Sequence, residues 1–220
     1  EYLQDGGAAA DLSPAILERT LFHATNSYFI PNVQITACSC RTNAPPNTAF
    51  RGFGGPQGMF VMEAAIAKAA WELGVPAHRI QQKNLLREND EFPYGQRATH
   101  SQARACWAAA DAAYHLAEKE KAVEEFNRAN AWFKKGIAAM PVRFGISFTN
   151  TFMNQAGALV HVYHDGSIGI SSAAVEMGQG VNTKLVQAAA HMLSVDPARI
   201  RIEPTDTTRV ANTSPTAASS

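Results

Sequence analysis

The chain has little of what marks a disulfide-stabilised, nucleic-acid-binding or membrane protein. It has only 3 cysteines among 220 residues, too few for a disulfide framework. Its 19 basic and 19 acidic side chains give a formal net charge of zero, which argues against nucleic acid or an acidic molecule as the main partner. No apolar run approaches the ~18 residues that a membrane helix needs, and no signal-peptide pattern opens the chain. We therefore expect a cytoplasmic protein that binds neither nucleic acid nor a membrane.

The sequence also lacks the common patterns of iron–sulfur, metal and nucleotide sites. Cys38 and Cys40 form a CxC pair in a strand-like run without further ligands nearby, and we expect Cys106, in an alanine-rich helix, to be a small buried residue. His161 and His164 bracket a strand-like run whose geometry sends them to opposite faces. Neither GxGxxG nor a GKS or GKT triplet occurs, which argues against an ordinary dinucleotide or triphosphate site.

Residues 47–58 are the most informative stretch that is present. They place two phenylalanines and an arginine among four glycines, directly before a helical pattern. Glycine lets a backbone approach a ligand closely, and a helix N-terminus offers N–H donors and partial positive charge. Two further small-residue loops, 176–180 and 212–220, lie near helix starts, and we expect all three loops to converge on one large polar ligand. The alternative for the first loop is a glycine-rich turn with core phenylalanines.

The spacing of apolar residues predicts a mixed α/β chain. Residues 1–12 are rich in glycine and alanine and are expected to form a loop, with Ser13 as the cap of the first helix and Pro14 in its first turn. Two apolar stripes on the second helix predict burial on most of its sides. The predicted helices are 15–24, 58–73, 78–89, 101–117, 119–130 and 182–193, and the predicted strands are 28–30, 33–39, 137–149, 159–163, 168–172 and 200–203.

The order of the motifs resembles the molybdopterin-binding subunit of the xanthine dehydrogenase and aldehyde oxidase family of molybdenum hydroxylases. The resemblance runs from about Glu18 to the end and depends on motifs that follow one another as in that family. These are 48–57, 148–149, 154–158, 177–180 and 214–219. The resemblance implies a fragment, truncated at both ends, of the large molybdopterin-binding domains. Residues 1–140 would be a portion of the first domain and residues 141–220 the start of the second.

The resemblance implies an oxidoreductase that converts hypoxanthine and xanthine to urate. In this family a molybdenum-bound hydroxyl derived from water attacks the substrate carbon, and a hydride passes to a molybdenum-bound sulfide. The implied cofactors are molybdopterin in this subunit and 2Fe-2S clusters and FAD on other domains or subunits. Together with the remaining segments of the molybdenum subunit, these are the expected partners in a homo-oligomer of heteromers. An aldehyde oxidase or other N-heterocycle hydroxylase of the family, and a non-catalytic scaffold, are the alternatives.

The resemblance assigns cofactor contacts to individual residues. The pterin itself holds the metal, with Gln179 and Arg51 beside it, and the Gln179 amide would donate to an oxo ligand as a catalytic contact. The expected cofactor-binding residues are Ala49, Phe50, Arg51, Gly178, Gln179, Thr216, Ala217, Ala218 and Ser219.

The resemblance also assigns the substrate contacts. Phe53 and Phe148 match the two phenylalanines that sandwich a flat substrate, one stacked and one edge-on, and Thr149 would offer its hydroxyl. Arg19 matches an arginine that faces the purine in xanthine dehydrogenases and is absent from aldehyde oxidases, so its guanidinium would stabilise charge that develops on the ring. Without the resemblance, both phenylalanines would be assigned to the core and Arg19 to the surface, paired with Glu18 or Asp11.

The chain departs from the family in one respect. The family's general base, a glutamate in a Gly-x-Gly-Glu-type loop, has no counterpart in this sequence, and neither Glu176 nor Glu203 qualifies for that role. We therefore expect the 220-residue fragment alone to be inactive.

Overall fold

The computed structural model describes residues 1–210 and 213–216, and the chain divides into two compact units, 1–145 and 146–220. Helices and strands both occur, as predicted for a mixed α/β chain. The elements in chain order are β1 (Tyr2–Gly7), α1 (Ser13–Phe22), β2 (Ala37–Arg41), α2 (Gly55–Leu73), α3 (Ala77–Asn84), α4 (Ala103–Tyr114), α5 (Leu116–Ala129), β3 (Ala158–Val162), β4 (Ile168–Ser172), α6 (Val181–Leu193) and β5 (Ile200–Ile202), with short 3₁₀ helices at Thr151–Met153 and Pro197–Arg199.

The first unit begins with a parallel strand pair. Strand β1 pairs with β2, so the prediction of a loop over residues 1–12 is wrong for residues 2–7. A glycine- and alanine-rich composition does not prevent strand formation when a distant strand accepts the hydrogen bonds. Helix α1 connects the two strands and has Pro14 in its first turn, as predicted. The Ser13 hydroxyl donates to the Asn47 carbonyl oxygen at 3.1 Å and does not cap the helix.

Helix α2 is buried on one side only. Met59, Ile66 and Ala70 lie in the interior, whereas Phe60 is exposed and Trp71 is 84% exposed. The predicted burial of both apolar stripes is therefore wrong for the second stripe within the described residues. The core beside the buried face contains Tyr28, Ile66, Leu85 and Trp107.

Helices α3 to α5 follow the predicted order with different bounds. Helix α3 is shorter than predicted, because Leu85 leaves the helix and forms a β-bridge with Tyr28. In α4 the buried residue is Trp107, and Cys106 is exposed. The expectation of a buried Cys106 is wrong, because the alanine-rich helix turns this side away from the core.

Residues 137–149, predicted to form a strand, contain none. Their backbone groups bind side chains instead of a neighbouring strand. The Gln81 amide donates to the Ala139 carbonyl oxygen at 2.7 Å, and the Asn26 amide donates to the Pro141 carbonyl oxygen at 2.8 Å. Arg143 in turn donates to backbone carbonyls of residues 22 and 26 at 2.7 and 2.9 Å. The segment therefore satisfies its hydrogen bonds without a sheet.

A glutamate on α2 connects the side chains that hold this segment. The Glu63 carboxylate accepts hydrogen bonds from the Asn26 amide, the Tyr28 hydroxyl and the Gln81 amide at 2.9, 2.7 and 2.8 Å. Burial and the adjacent Glu63 raise the pKa of Tyr28, so this hydroxyl remains a donor. Each donor is buried, and loss of the shared acceptor would leave all three without it.

The second unit is a three-stranded sheet in the order β3-β4-β5 with one packed helix. Strands β3 and β4 form the predicted antiparallel hairpin. Strand β5 lies parallel to β4 after the α6 crossover, which is the connection that a parallel pair requires. The core contains Ile168, Ile170, Ala190 and Ile200. Across both units, none of the described helices combines the length and apolar character needed to span a bilayer.

The Glu63 network yields a stability prediction. In the full-length protein that carries this chain, Glu63→Leu should lower the opening free energy around residues 24–28 and 139–141 by about 2–4 kcal/mol, because three buried donors lose their acceptor. Tyr28→Phe removes one donor and should cost about 1 kcal/mol. Hydrogen exchange of these segments measures both values. Equal losses in the two variants would show that the carboxylate is not the shared acceptor.

Candidate cofactor and substrate site

The loop 47–58 is anchored to the N-terminal segment of the first unit. The Ser13 hydroxyl binds the Asn47 carbonyl, the Asn47 amide donates to the Asp5 carbonyl oxygen at 3.1 Å, and the Thr48 hydroxyl donates to the Asp11 carboxylate at 2.6 Å. Strand β1, which sequence analysis did not predict, therefore helps to anchor the start of the loop through Asp5. These contacts hold the start of the loop in place.

The central residues of this loop are exposed. Ala49 and Arg51 lie at the surface, and Phe50 is 81% exposed. Phe53 is half-buried and has a φ of +51°, a left-handed conformation that is uncommon for an aromatic residue. The Phe53 N–H donates to the Phe50 carbonyl oxygen at 2.8 Å and closes a turn. The roles assigned to these residues by resemblance stay predictions.

Three glycines in the loop are required by helix packing. A Cβ on Gly54, whose φ is +105°, would lie 2.1 Å from the Ile16 carbonyl oxygen. A Cβ on Gly58 would lie 2.6 Å from the Thr20 carbonyl oxygen, and one on Gly55 would lie 2.8 Å from the Phe144 ring. Close approach of α1, α2 and residue 144 therefore accounts for these glycines without any ligand.

Arg19 is buried on α1, at 6% exposure, so it is not the surface arginine of the alternative assignment. Its Nη1 atom donates to the Gly145 carbonyl oxygen at 2.5 Å, and its guanidinium carbon lies 5.3 Å from the centre of the Phe144 ring. Burial lowers the pKa of Arg19, but a guanidinium stays charged at any working pH. The structure thus provides a held, buried cation.

His23, one helical turn after Arg19, was missed by sequence analysis. Its Nδ1 atom lies 2.8 Å from the Arg19 carbonyl oxygen, and its Nε2 atom accepts the Gly145 N–H at 2.9 Å. Because a carbonyl only accepts, Nδ1 carries a proton, and because Nε2 accepts an N–H it carries none, so the ring is neutral. Burial, with smaller contributions from the charges of Arg143 and Arg19, lowers the pKa of His23 to about 4. The i, i+4 spacing of Arg19 and His23 was the available signal.

Arg143, which carried no functional assignment, also proves to be a structural residue. Besides its backbone contacts it donates to the Tyr94 hydroxyl at 2.7 Å and lies 4.3 Å from the centre of the Phe92 ring. These contacts hold the segment that ends at Gly145. A cavity of about 800 Å³ lies between this segment and α4, and it is lined by none of the predicted site residues.

In the second unit, Phe148 is buried and Thr149 is half-buried. The Asn154 side chain fixes the backbone at Phe148. It accepts the Phe148 N–H at 2.7 Å and donates to the Phe148 carbonyl oxygen at 3.1 Å. Two of the motifs found in the sequence are therefore in direct contact. Burial of Phe148 agrees with a core position and with a substrate-contacting position alike.

The loop 176–180 is organised by its own side chains. Gln179 accepts the Met177 N–H at 2.6 Å and donates to the Val175 carbonyl oxygen at 2.8 Å. The Glu176 carboxylate accepts the N–H groups of Gly178, Gly180 and Asn182 at 2.9, 2.9 and 3.1 Å. Hydrogen bonds from Asn182 and Gly180 lower the pKa of Glu176. Glu176 therefore serves as the acceptor for the start of α6, a structural role that sequence analysis missed.

The described part of the third loop packs against the residues that precede the second. The Thr216 hydroxyl oxygen accepts the Val175 N–H at 3.0 Å. A cavity of about 220 Å³ opens beside it. It is lined among others by Gln155, Ala158, Ser172, Val181, Ser214 and Thr216. The other predicted contacts of this loop, Ala217, Ala218 and Ser219, lie outside the described residues.

Comparison with known families shows which family this chain belongs to. One family described as "Molybdopterin cofactor-binding domain" matches residues 1–85, and a second with the same description matches residues 109–220. The chain belongs to the molybdopterin cofactor-binding domains. The resemblance inferred from the loop motifs is thereby confirmed, and so is molybdopterin as the cofactor of the family.

Named relatives of this molybdopterin-binding chain are xanthine dehydrogenases. The xanthine dehydrogenase/oxidase of Rattus norvegicus is 46% identical over 218 residues, which cover 99% of this chain and 16% of the relative. Xanthine dehydrogenase 1 of Arabidopsis thaliana is 44% identical over 219 residues, again with 16% of the relative covered. The chain thus spans about one sixth of the length of these relatives.

Solved structures share the fold of the molybdopterin-binding chain. The aldehyde oxidoreductase of Desulfovibrio desulfuricans matches with a TM-score of 0.72 at 21% identity, over 97% of this chain and 23% of that one. The quinoline 2-oxidoreductase of Pseudomonas putida matches with a TM-score of 0.69 at 20% identity, over 91% of this chain and 27% of that one. At this identity the likeness concerns the fold alone, and it agrees with the predicted fold class.

The glycine contacts yield a prediction for the first loop. In the full-length protein, Gly54→Ala should lower the opening free energy of α1 by about 2–3 kcal/mol, because the new methyl group meets a backbone carbonyl at a strained φ. Hydrogen exchange of the α1 amides measures the loss. The matched control is Gly136→Ala, where a Cβ meets nothing within 4 Å and the change should stay within about 0.5 kcal/mol. Similar values for both variants would contradict the packing explanation.

The Glu176 contacts yield a prediction about pH. The pKa of Glu176 is lower in the folded protein than in the unfolded chain, where it is about 4.3. The stabilisation of the folded loop by the Glu176 carboxylate is therefore present above pH of about 4.3, and it is lost as the pH falls through the lower folded-state pKa. Protection factors of amides 178, 180 and 182 should therefore decrease in that acidic range. Glu176→Gln should remove this pH dependence. The same acid-induced loss in the glutamine variant would show that another group is responsible.

Proposed function

We propose that the protein carrying this chain is a molybdenum hydroxylase that oxidises hypoxanthine and xanthine to urate with oxygen derived from water. The observation that carries the proposal is 44–46% identity to relatives named xanthine dehydrogenase over practically the whole chain. The buried Arg19 supports it, because a held guanidinium suits a ring that gains negative charge. The protein is expected in the cytoplasm.

The residues of the chain suit a pterin with polar edges. The amide of Gln179 carries both donors and an acceptor, and the hydroxyl of Thr216 lies at the 220 Å³ cavity. When bound, the molybdenum cofactor accepts two electrons from the substrate while water supplies the oxygen atom. In the proposal, Gly178, Gln179 and Thr216 contact the cofactor, and residues 49–51 are the further cofactor contacts.

The substrate contacts follow from the chemistry of a flat heterocycle. Aromatic faces orient a flat ring through offset or edge-on contact, each worth about 0.5–1.5 kcal/mol beyond area burial. We assign this task to Phe53 and Phe148, and a hydrogen bond to Thr149. The left-handed backbone of Phe53 supports its assignment, because such conformations concentrate at functional sites. Arg19 supplies the fixed charge.

Further parts of the enzyme belong outside this chain. The relatives are about six times longer than the matched segment, which leaves room for the general base and for the groups that take electrons from molybdenum. We assign those groups to 2Fe-2S clusters and FAD on other domains or subunits. The remaining segments of the molybdenum subunit complete the site.

The first test uses the full-length protein. Metal analysis should find stoichiometric molybdenum, and anaerobic xanthine should bleach the iron–sulfur and flavin absorbance rapidly. Molybdenum without bleaching would overturn the purine assignment and point to an aldehyde or another heterocycle. A matured preparation without molybdenum would overturn the hydroxylase assignment altogether and favour a scaffold.

A substitution tests the role of the buried arginine. Arg19→Met should lower kcat/KM for xanthine by about 10²-fold, the usual effect of removing one charge-stabilising donor, and should affect an aromatic aldehyde far less. Arg79→Met, at an exposed arginine of α3, is the matched control and should leave both rates unchanged. If Arg19→Met keeps the xanthine preference of the unmodified enzyme, the assignment fails.

A further inference from the structure

We propose that His23 is a positioning residue, which holds the Arg19 guanidinium in one orientation through the backbone N–H and carbonyl of Gly145. The proposal rests on the proposed function, in which Arg19 faces the substrate. No bond to the substrate is assigned to His23 itself. Its ring would act only by fixing where the positive charge of Arg19 lies.

Three hydrogen bonds form a closed circuit from the backbone of Arg19 to its own side chain. The Arg19 carbonyl oxygen accepts from Nδ1 of His23 at 2.8 Å, and Nε2 of His23 accepts the Gly145 N–H at 2.9 Å. The Gly145 carbonyl oxygen then accepts from Nη1 of Arg19 at 2.5 Å. Arg19 lies in the last turn of α1 and His23 caps the end of that helix, with its own N–H bound to the Arg19 carbonyl oxygen. Both ends of the circuit therefore start from the end of one helix.

The circuit requires a neutral imidazole. Nδ1 must donate to a carbonyl and Nε2 must accept from a backbone N–H, and an imidazolium ring has no acceptor. The surroundings favour the neutral ring, because His23 is 1% exposed and both Arg19 and Arg143 act on it as positive charges. The ring can therefore keep its acceptor for Gly145.

The neighbours of the circuit leave the guanidinium little room. The Phe144 ring lies 5.0 Å from the His23 ring and 5.3 Å from the Arg19 guanidinium carbon. A Cβ on Gly145 would lie 3.1 Å from Nη1 of Arg19, so a side chain at this position would press on the guanidinium. An arginine side chain has many rotamers, and holding one of them before the substrate binds lowers the cost of alignment.

Two conservative substitutions separate the two ends of the imidazole. The amide of glutamine reaches the position of Nε2, so His23→Gln can still accept the Gly145 N–H. The amide of asparagine reaches only the position of Nδ1, so His23→Asn can bind the Arg19 carbonyl but not Gly145. Both variants are made in the full-length enzyme, and kcat/KM is measured with xanthine and with an aromatic aldehyde. His191→Asn, at an exposed histidine of α6, is the control.

The expected result is a change of preference and not a general loss. His23→Asn should lower the ratio of xanthine to aldehyde kcat/KM by roughly ten- to a hundredfold, the effect of a misplaced catalytic group. His23→Gln should restore the ratio to within about threefold of the unmodified enzyme, and molybdenum content should be normal in both. Adding His23→Asn to Arg19→Met should change the ratio no further. Because the ratio is independent of the active fraction, partial misfolding does not alter it.

A second variant tests the circuit without changing the histidine. Gly145→Ala places a methyl group against Nη1 of Arg19 and should lower the same ratio by about threefold or more. An unchanged ratio in both His23→Asn and Gly145→Ala would overturn the proposal. Equal losses with both substrates would also overturn it, since they indicate a merely structural role.

The outcome for Arg19→Met separates this proposal from the proposed function. If Arg19→Met leaves xanthine oxidation intact, the role of Arg19 in the proposed function fails. If Arg19→Met lowers the preference for xanthine while the His23 and Gly145 variants keep it, only the positioning role fails.

Discussion

The structure of the first unit depends on how residues 139–145 satisfy their backbone hydrogen bonds. A buried carbonyl or N–H group without a partner costs about 1–3 kcal/mol, and this segment has no neighbouring strand. Amide, guanidinium and imidazole side chains from distant parts of the chain take the place of a strand. Because the same side chains bind Glu63 or lie on α1, the segment, α2 and α3 become one hydrogen-bonded assembly. The surroundings of Arg19 follow from that assembly.

Sequence periodicity predicted the elements whose stability is local. Helix α2, the β3–β4 hairpin and α6 each carry an apolar spacing and a turn or cap signal within the element itself. Elements defined by distant partners were not predictable in this way. Strand β1 pairs with β2, and in residues 137–149 the carbonyls of Ala139 and Pro141 bind the side chains of Gln81 and Asn26 in place of a strand. Both outcomes depend on contacts far apart in sequence, which composition does not encode.

Features of the candidate site with a local sequence motif were predicted, and features that depend on distant contacts were not. The loops were found because their short motifs resemble those of a known family, and the family matches confirm that resemblance. His23, Glu176 and Arg143 were missed because each binds backbone groups, and such a role leaves no motif in the sequence. The spacing of Arg19 and His23 was visible, yet the same spacing occurs on any helix face. The glycines were predicted to permit close approach to a ligand, and at Gly54 the atoms that come close belong to another helix.

The two sides of the loop 47–58 therefore differ in how closely they are packed. Gly54, Gly55 and Gly58 face α1 and Phe144, where any added atom collides with main chain or ring. Ala49, Phe50 and Arg51 lie on the exposed side of the loop. Packing therefore restricts the glycine side of the loop, and a substitution there acts first through the stability of the first unit.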